Sequence, residues 1–249
     1  MEERIVTYVS NRLDGLERVA RSTPHVFIPA PEERDAAWGL AYRQGDDILT
    51  KKRPILAGAE LELEELLRNA QTERATLHLG QPTPRGFSRE DVGPHRFEQV
   101  TFAVIGAPES PLPDLEILPA FELLAKENGA LSLFARLLTL LEREGAMHDA
   151  PPALVRAALR ELHAQVGDAR FGVVFGNGRR SYVFARDLSL AFAHREESIG
   201  SPRAGEPTFR ALVLVVGDTE GLPEDFKRAP SRDVFAVIEP DGAVELGEA

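Results

Sequence analysis

The sequence contains no cysteine among its 249 residues. That absence excludes a disulfide scaffold, a thiolate zinc site, an iron–sulfur cluster and a cysteine nucleophile. Positive charge is also scarce. Lys and Arg number 29 against 40 Asp and Glu, a formal net charge of −11. A surface that coats nucleic acid needs clustered Lys and Arg to displace counterions. An anionic membrane attracts the same residues, so neither partner is expected. Long apolar runs are missing as well. The longest, Ala211 to Val216, has the length of a strand, far short of a membrane span. Met1-Glu2-Glu3-Arg4 carries no basic region followed by an apolar stretch, so no signal peptide is expected. A cytoplasmic protein follows as the expectation.

What is present suffices for a packed core: 43% of residues are hydrophobic and 28% charged, ordinary values for a globular protein. Ile5 to Val9 is β-branched and aromatic, as a buried strand would be. Leu13 to Ala20 reads as a short helix and Ser22 to Glu33, with three prolines, as loop. Trp38 to Arg43 and Asp47 to Lys51 form a hairpin about Gln44-Gly45-Asp46. Glu60 to Ala70 spaces leucines as a surface helix does. Strands at Arg74 to Leu79 and Gln99 to Ile105 flank a proline-rich loop, Gly80 to His95.

The middle of the chain is helical. Leu115 to Lys126 is expected to end at Asn128-Gly129, with further helices over Ala130 to Glu144 and from Pro151-Pro152 to Val166. Strands return at Arg170 to Phe175, Arg179 to Arg186, Leu188 to His194, Phe209 to Val216 and Asp233 to Glu239, with a last short one after Asp241-Gly242. Asn177-Gly178 predicts a type I′ hairpin. Both strand blocks are rich in hairpins, which points to an α+β fold of antiparallel sheets rather than βαβ units. Ala211 to Val216 is apolar on both faces, so two stacked sheets with helices outside would satisfy the pattern. A single domain over residues 1–249 is expected, since neither strand block holds enough helix to cover itself.

Taken singly, the polar residues name no chemistry. The six histidines (His25, His78, His95, His148, His163, His194) include no H-x-H pair and no H-E-x-x-H, so neither a metal nor a cofactor is implied. There is no phosphate-binding loop of the G-x-x-x-x-G-K-[ST] type and no G-x-S-x-G elbow. Gly176-Asn177-Gly178 lies between strands and reads as a turn. The acid pairs Asp46-Asp47, Glu64-Glu65 and Glu196-Glu197 read as solvated surface. The leucine stripe at Leu133 to Leu141 is either core or a face for self-association as a homodimer, or for a partner.

Read in order, several short runs resemble the class II glutamine amidotransferases, which are N-terminal-nucleophile hydrolases with a four-layer αββα sandwich. The family's Met-Cys-Arg, apolar pair and Gly-Tyr resemble Glu3-Arg4-Ile5-Val6-Thr7-Tyr8, with Glu3 at the place of the cysteine. Its Asp-Gly-Trp-Gly-Ile-Gly-Tyr is similar to Ala36-Ala37-Trp38-Gly39-Leu40-Ala41-Tyr42, followed by Lys52-Arg53-Pro54-Ile55. His-x-Arg-x-x-Thr resembles His78-Leu79-Gly80-Gln81-Pro82-Thr83, and His-Pro-Phe resembles His95-Arg96-Phe97. Phe-Ala-His-Asn-Gly resembles Phe102-Ala103-Val104-Ile105-Gly106, and Ser-Asp-Thr-Glu resembles Pro113-Asp114-Leu115-Glu116.

The resemblance covers about residues 3 to 120 in motifs and the remainder in element order. It implies the sandwich fold and, in the family, a thiolate that attacks a glutamine amide with its own α-amino group as base. Here the departures fall on that chemistry. Glu3 replaces the nucleophile, Gly80 the arginine that clamps the substrate carboxylate, and Ile105 the oxyanion-stabilising asparagine. Arg4, His78, Thr83, Gly106 and Asp114 remain as a vestigial pocket. The resemblance therefore implies a catalytically inactive relative that binds a protein partner or small ligand. The alternative is a hydrolase of the same fold with rewired catalysis, using Glu3 or Asp114 near His78. Autocleavage to expose Thr7 or Ser10 is a third route to a nucleophile, opposed by the place of Thr7 within a strand. A coincidental likeness would show as a structure without two stacked antiparallel sheets.

Overall fold

A computed structural model of the chain describes residues 3–28, 37–53, 59–80, 92–167, 170–197 and 208–249. Its strands form two antiparallel sheets. The larger contains β1 (Arg4–Ser10), β2 (Ala37–Gln44), β3 (Asp47–Arg53), β4 (Arg74–Gly80), β9 (Ser189–Glu197), β10 (Phe209–Gly217) and β11 (Lys227–Arg228). Across it the order is β11-β9-β10-β1-β4-β2-β3. The smaller contains β5 (His95–Phe97), β6 (Val100–Ile105), β7 (Phe171–Gly176), β8 (Ser181–Arg186), β12 (Val234–Ile238) and β13 (Val244–Glu248), in the order β13-β12-β8-β7-β6-β5.

Successive side chains of a strand point to opposite faces, and three apolar clusters follow from that alternation. Ile5 and Val9 of β1, Leu212, Leu214 and Val216 of β10, Val174 of β7 and Ala236 of β12 meet between the sheets. Val6, Tyr8, Trp38, Leu77, Val213 and Val215 point the other way, against α1 (Gly15–Ser22) and α3 (Ala59–Asn69). Phe102, Val173, Phe175 and Phe184 cover the outer face of the smaller sheet together with α5 (Gly129–Arg143) and α6 (Pro152–Val166). The layers are therefore helix, sheet, sheet, helix, the αββα sandwich expected from the sequence. Strand β10 reads as a continuous apolar run because both its faces are covered.

The leucine stripe is core: Leu131, Leu133, Leu137, Leu138 and Leu141 are at most 5% exposed. Four local expectations need correction. No helix spans Leu115 to Lys126; residues 115–118 are irregular, followed by a 3₁₀ turn at Pro119–Phe121 and a single helical turn, α4 (Glu122–Ala125). Pro119 lacks an N–H and clashes with a preceding turn, so it can open a helix but not sit inside one. Asn128 then begins α5 rather than ending its predecessor, its Oδ1 accepting from the Leu131 N–H at 2.8 Å. The Asn177-Gly178 hairpin is not type I′. Gly176 pairs with Ser181 across a four-residue loop, and of the two central residues only Gly178 has positive φ; both would be positive in type I′. Asn177 Oδ1 instead accepts from the N–H groups of Arg179 and Arg180. Finally, the Ser22 to Glu33 loop contains one helical turn, α2 (Pro24–Phe27), and the Gly80 to His95 loop ends in strand β5. Among the described residues no helix is long and apolar enough to cross a membrane.

Candidate functional site

Strands β1 and β4 are neighbours, with Arg4 opposite Leu79 and Ile5 opposite His78. Their pairing brings the start of β1 beside the end of β4. Glu3 Oε1 lies 2.7 Å from His78 Nε2. An ionised carboxylate only accepts, so in this pair Nε2–H donates, and Nδ1 is the ring nitrogen left over. That Nδ1 is buried and has no hydrogen-bond partner among the described residues. Gly80 completes the corner: a Cβ there would lie 3.3 Å from Glu3 Cγ and Oε1. The absent side chain at position 80 leaves space that the Glu3 carboxylate fills.

Ile105, at the end of β6, approaches the same corner from the smaller sheet. A Cβ on Gly217 would fall 2.3 Å from the Glu3 carbonyl oxygen and 2.9 Å from Ile105 Cδ1. Position 105 thus offers a methyl group where a polar amide is expected in an oxyanion site. Gly106 has φ +82°, and a Cβ would meet the Arg170 carbonyl oxygen at 2.0 Å. Backbone geometry alone requires glycine there.

The other candidates separate from this corner. Arg4 is buried but carried on the opposite face of β1 from Glu3 and Ile5. Asp114 sits on an exposed turn with φ +61° and makes no hydrogen bond or ion pair among the described residues. Thr83 lies outside the described residues. Thr7 is 1% exposed and paired on both sides, with Leu214 and with Thr76, so it is mid-sheet and not a chain end.

Behind His78 lies a second histidine. A Cβ on Gly93 would stand 2.5 Å from His78 Nδ1 and one on Gly39 2.0 Å from the Gly93 carbonyl, so these glycines let backbone pack on the ring. His95 follows on β5, buried, with its Nδ1 3.4 Å from Lys52 Nζ. Burial first, then the charges of Lys52 and His78, hold the His95 pKa well below 6.5. The result is a row of titratable groups, Glu3, His78, His95 and Lys52, across the seam between the sheets. It can hold and orient protons, and among the described residues it contains no thiol or hydroxyl.

Neither a scan against protein-family models nor a search of curated proteins gives a match. Solved structures do. A glutamine aminotransferase class-II domain protein from Silicibacter pomeroyi superposes with a TM-score of 0.57 at 12% identity, over 98% of both chains. A predicted glutamine amidotransferase from Pseudomonas aeruginosa gives 0.57 at 18%, over 98% of this chain and 95% of the other. The phosphoribosylpyrophosphate amidotransferase of B. subtilis gives 0.53 at 13%, over 98% of this chain and 49% of the other. The chain has the class II glutamine amidotransferase fold.

Within that amidotransferase fold, Glu3, His78, Gly80, Ile105 and Gly106 come together at one end of the inter-sheet seam, while Arg4 and Asp114 do not join them. Sequence reading missed the role of Lys52, Gly93 and Gly217. Lys52 and His95 stood in quoted runs, but nothing local signals that β3 and β5 bring them side by side. Gly93 and Gly217 matter only through what approaches them.

Proposed function

We propose that this protein is a catalytically silent amidotransferase-fold protein, one unit over residues 1–249, that acts in the cytoplasm by binding a protein partner or small ligand. One observation carries the reading: the Glu3 carboxylate is tied to His78 at 2.7 Å and packs over Gly80. With no cysteine in the sequence, the thioester intermediate that the family's thiolate forms with a glutamine amide has no sulfur to form on. The apolar Ile105 adds no donor for an oxyanion, and loss of one such donor alone costs about 10²–10³ in rate. The net charge of −11 favours basic or neutral partners over nucleic acid.

The test is ammonia release from glutamine by the full chain. Release no faster than in protein-free buffer is expected. Robust release, abolished by Glu3→Gln or His78→Gln, would instead establish rewired catalysis at this corner.

A further inference from the structure

The far end of the same seam holds a second set of polar groups. Along β4, residues 74, 76, 78 and 80 share the face toward the smaller sheet, because Ala75, Leu77 and Leu79 pack on the helices. Gly80 and His78 belong to the Glu3 corner. Arg74 and Thr76 lie toward the other end of the strand, roughly 20 Å and 13 Å from Gly80 at the rise of an extended chain.

There Arg43, Arg74, Thr76, Thr101, Ser181 and Gly178 line a cleft of about 40 Å³. Arg43 and Arg74 stand on adjacent strands, one residue beyond the Tyr42–Ala75 pair. Both reach across to the turn between β7 and β8: Arg43 Nη1 donates to the Gly178 carbonyl at 3.2 Å, and Arg74 Nη1 donates to the Arg179 carbonyl. Arg43 also donates to its own turn at Gly45 and lies 3.7 Å from the fully exposed Asp46. Arg180 is neutralised by Glu239, with contacts of 2.8 and 3.0 Å.

Arg74 differs. Among the described residues no carboxylate is in ion-pair contact with it, and most of its five N–H donors are unused. Burial, then the charge of Arg43, lowers its pKa, with Glu73 and Glu239 acting weakly against that. Thr76, Thr101 and Ser181 are 7%, 8% and 8% exposed. Their hydroxyls make no hydrogen bond among the described residues, and all three residues line the cleft. The hydroxyl of Thr7, paired in register with Thr76, is buried and unpartnered as well. Arg74 and the three lining hydroxyls reach solvent through the cleft, so in a protein of net charge −11 a half-buried guanidinium with unused donors stands beside three hydroxyls that no protein group among the described residues occupies, all open to an acceptor that enters.

We propose that this cleft is a binding site for a small oxyanion, the phosphate or carboxylate group of a ligand, held by Arg74 with Arg43 at its mouth and the hydroxyls of Thr76, Thr101 and Ser181 within. The volume admits about three atoms the size of water, which matches the oxygens such a group presents. The site is independent of the Glu3 corner and of any reaction there.

Calorimetric titration of the full chain with inorganic phosphate, and separately with acetate, at ionic strength fixed with chloride, tests it. Saturable binding is expected for phosphate if a phosphoryl group is the natural occupant and for acetate if a carboxylate is; either supports the site. Arg74→Gln should weaken that binding by about tenfold or more, the effect of losing a charge-assisted contact. Thr101→Val, which preserves shape, should weaken it severalfold. If Arg74→Gln fails to fold, Arg43→Gln and Thr101→Val carry the same expectation. No saturable binding of either anion, or equal affinity in the parent and the folded variants, overturns the proposal.

Discussion

Two glycines at the Glu3 corner separate what backbone demands from what a lost side chain leaves behind. At Gly106, φ is +82° and a Cβ would lie 2.0 Å from the Arg170 carbonyl. Gly106→Ala should destabilise by about 3 kcal/mol or more, as measured by urea unfolding. At Gly80 a Cβ meets only the flexible, half-exposed Glu3 side chain at 3.3 Å. Gly80→Ala should cost under about 1 kcal/mol in the same assay. Their family resemblance singled out both positions in the sequence, yet the reason each is glycine resides in atoms supplied by other strands. His95 makes a further residue-scale expectation. Its folded pKa is depressed, so the unfolded chain binds this proton more readily than the native one. Stability from His95 is complete above about pH 6.5 and declines as pH falls below that, by at most about 1.4 kcal/mol per pH unit. Urea midpoints between pH 7.5 and 5 should drop in the parent and drop less steeply in His95→Gln. Identical slopes would remove His95 from this account.

Elements with a strong period were legible in the sequence, and those decided by a single proline were not. The leucine spacing of α5 marks a helix with a broad apolar stripe, and the fold places that stripe in the core. Leu137 is fully buried, and Leu137→Ala should lower stability by about 2–5 kcal/mol. Leu123, on the single turn of α4, is 81% exposed, and Leu123→Ala should stay within about 0.5 kcal/mol of the parent. Equal losses at both positions would contradict the placement of α5. The region just before α4 shows the converse. Residues 115–126 carry leucines at helical spacing, but Pro119 forbids the interior of a helix. The hairpin after β7 shows a third limit, because Asn-Gly supports more than one turn and only the register of β7 with β8 chooses among them. The arginine cleft was illegible for a related reason: Arg43 and Arg74 meet through the pairing of β2 with β4, and Ser181 reaches them only through the stacking of the two sheets.

For the molecule as a whole, the seam between the sheets is the organising feature. Both sheets contribute to one apolar cluster, in which Ile5, Val9, Leu212 and Leu214 face Ala103, Val174, Val183 and Ala236. Neither sheet keeps a covered inner face without the other, so unfolding in urea should be a single transition, with tryptophan fluorescence from Trp38 and far-ultraviolet circular dichroism coinciding. Two separated transitions would show that the halves fold apart. Antiparallel layering was readable from hairpins and from the doubly apolar β10, whereas the order of strands within each sheet had no local signature. Strand order also decides what lies at the margins. Sheet edges offer unpaired N–H and C=O groups to any passing strand, a route to fibrils. Here β11 carries Lys227 and Arg228, β3 carries Lys51, Lys52 and Arg53, β13 carries Glu245 and Glu248, and β5 is only three residues long. Two copies meeting edge to like edge along β3, β11 or β13 would set charge against the same charge. Growth of a sheet from one molecule into the next by like edges is thereby disfavoured.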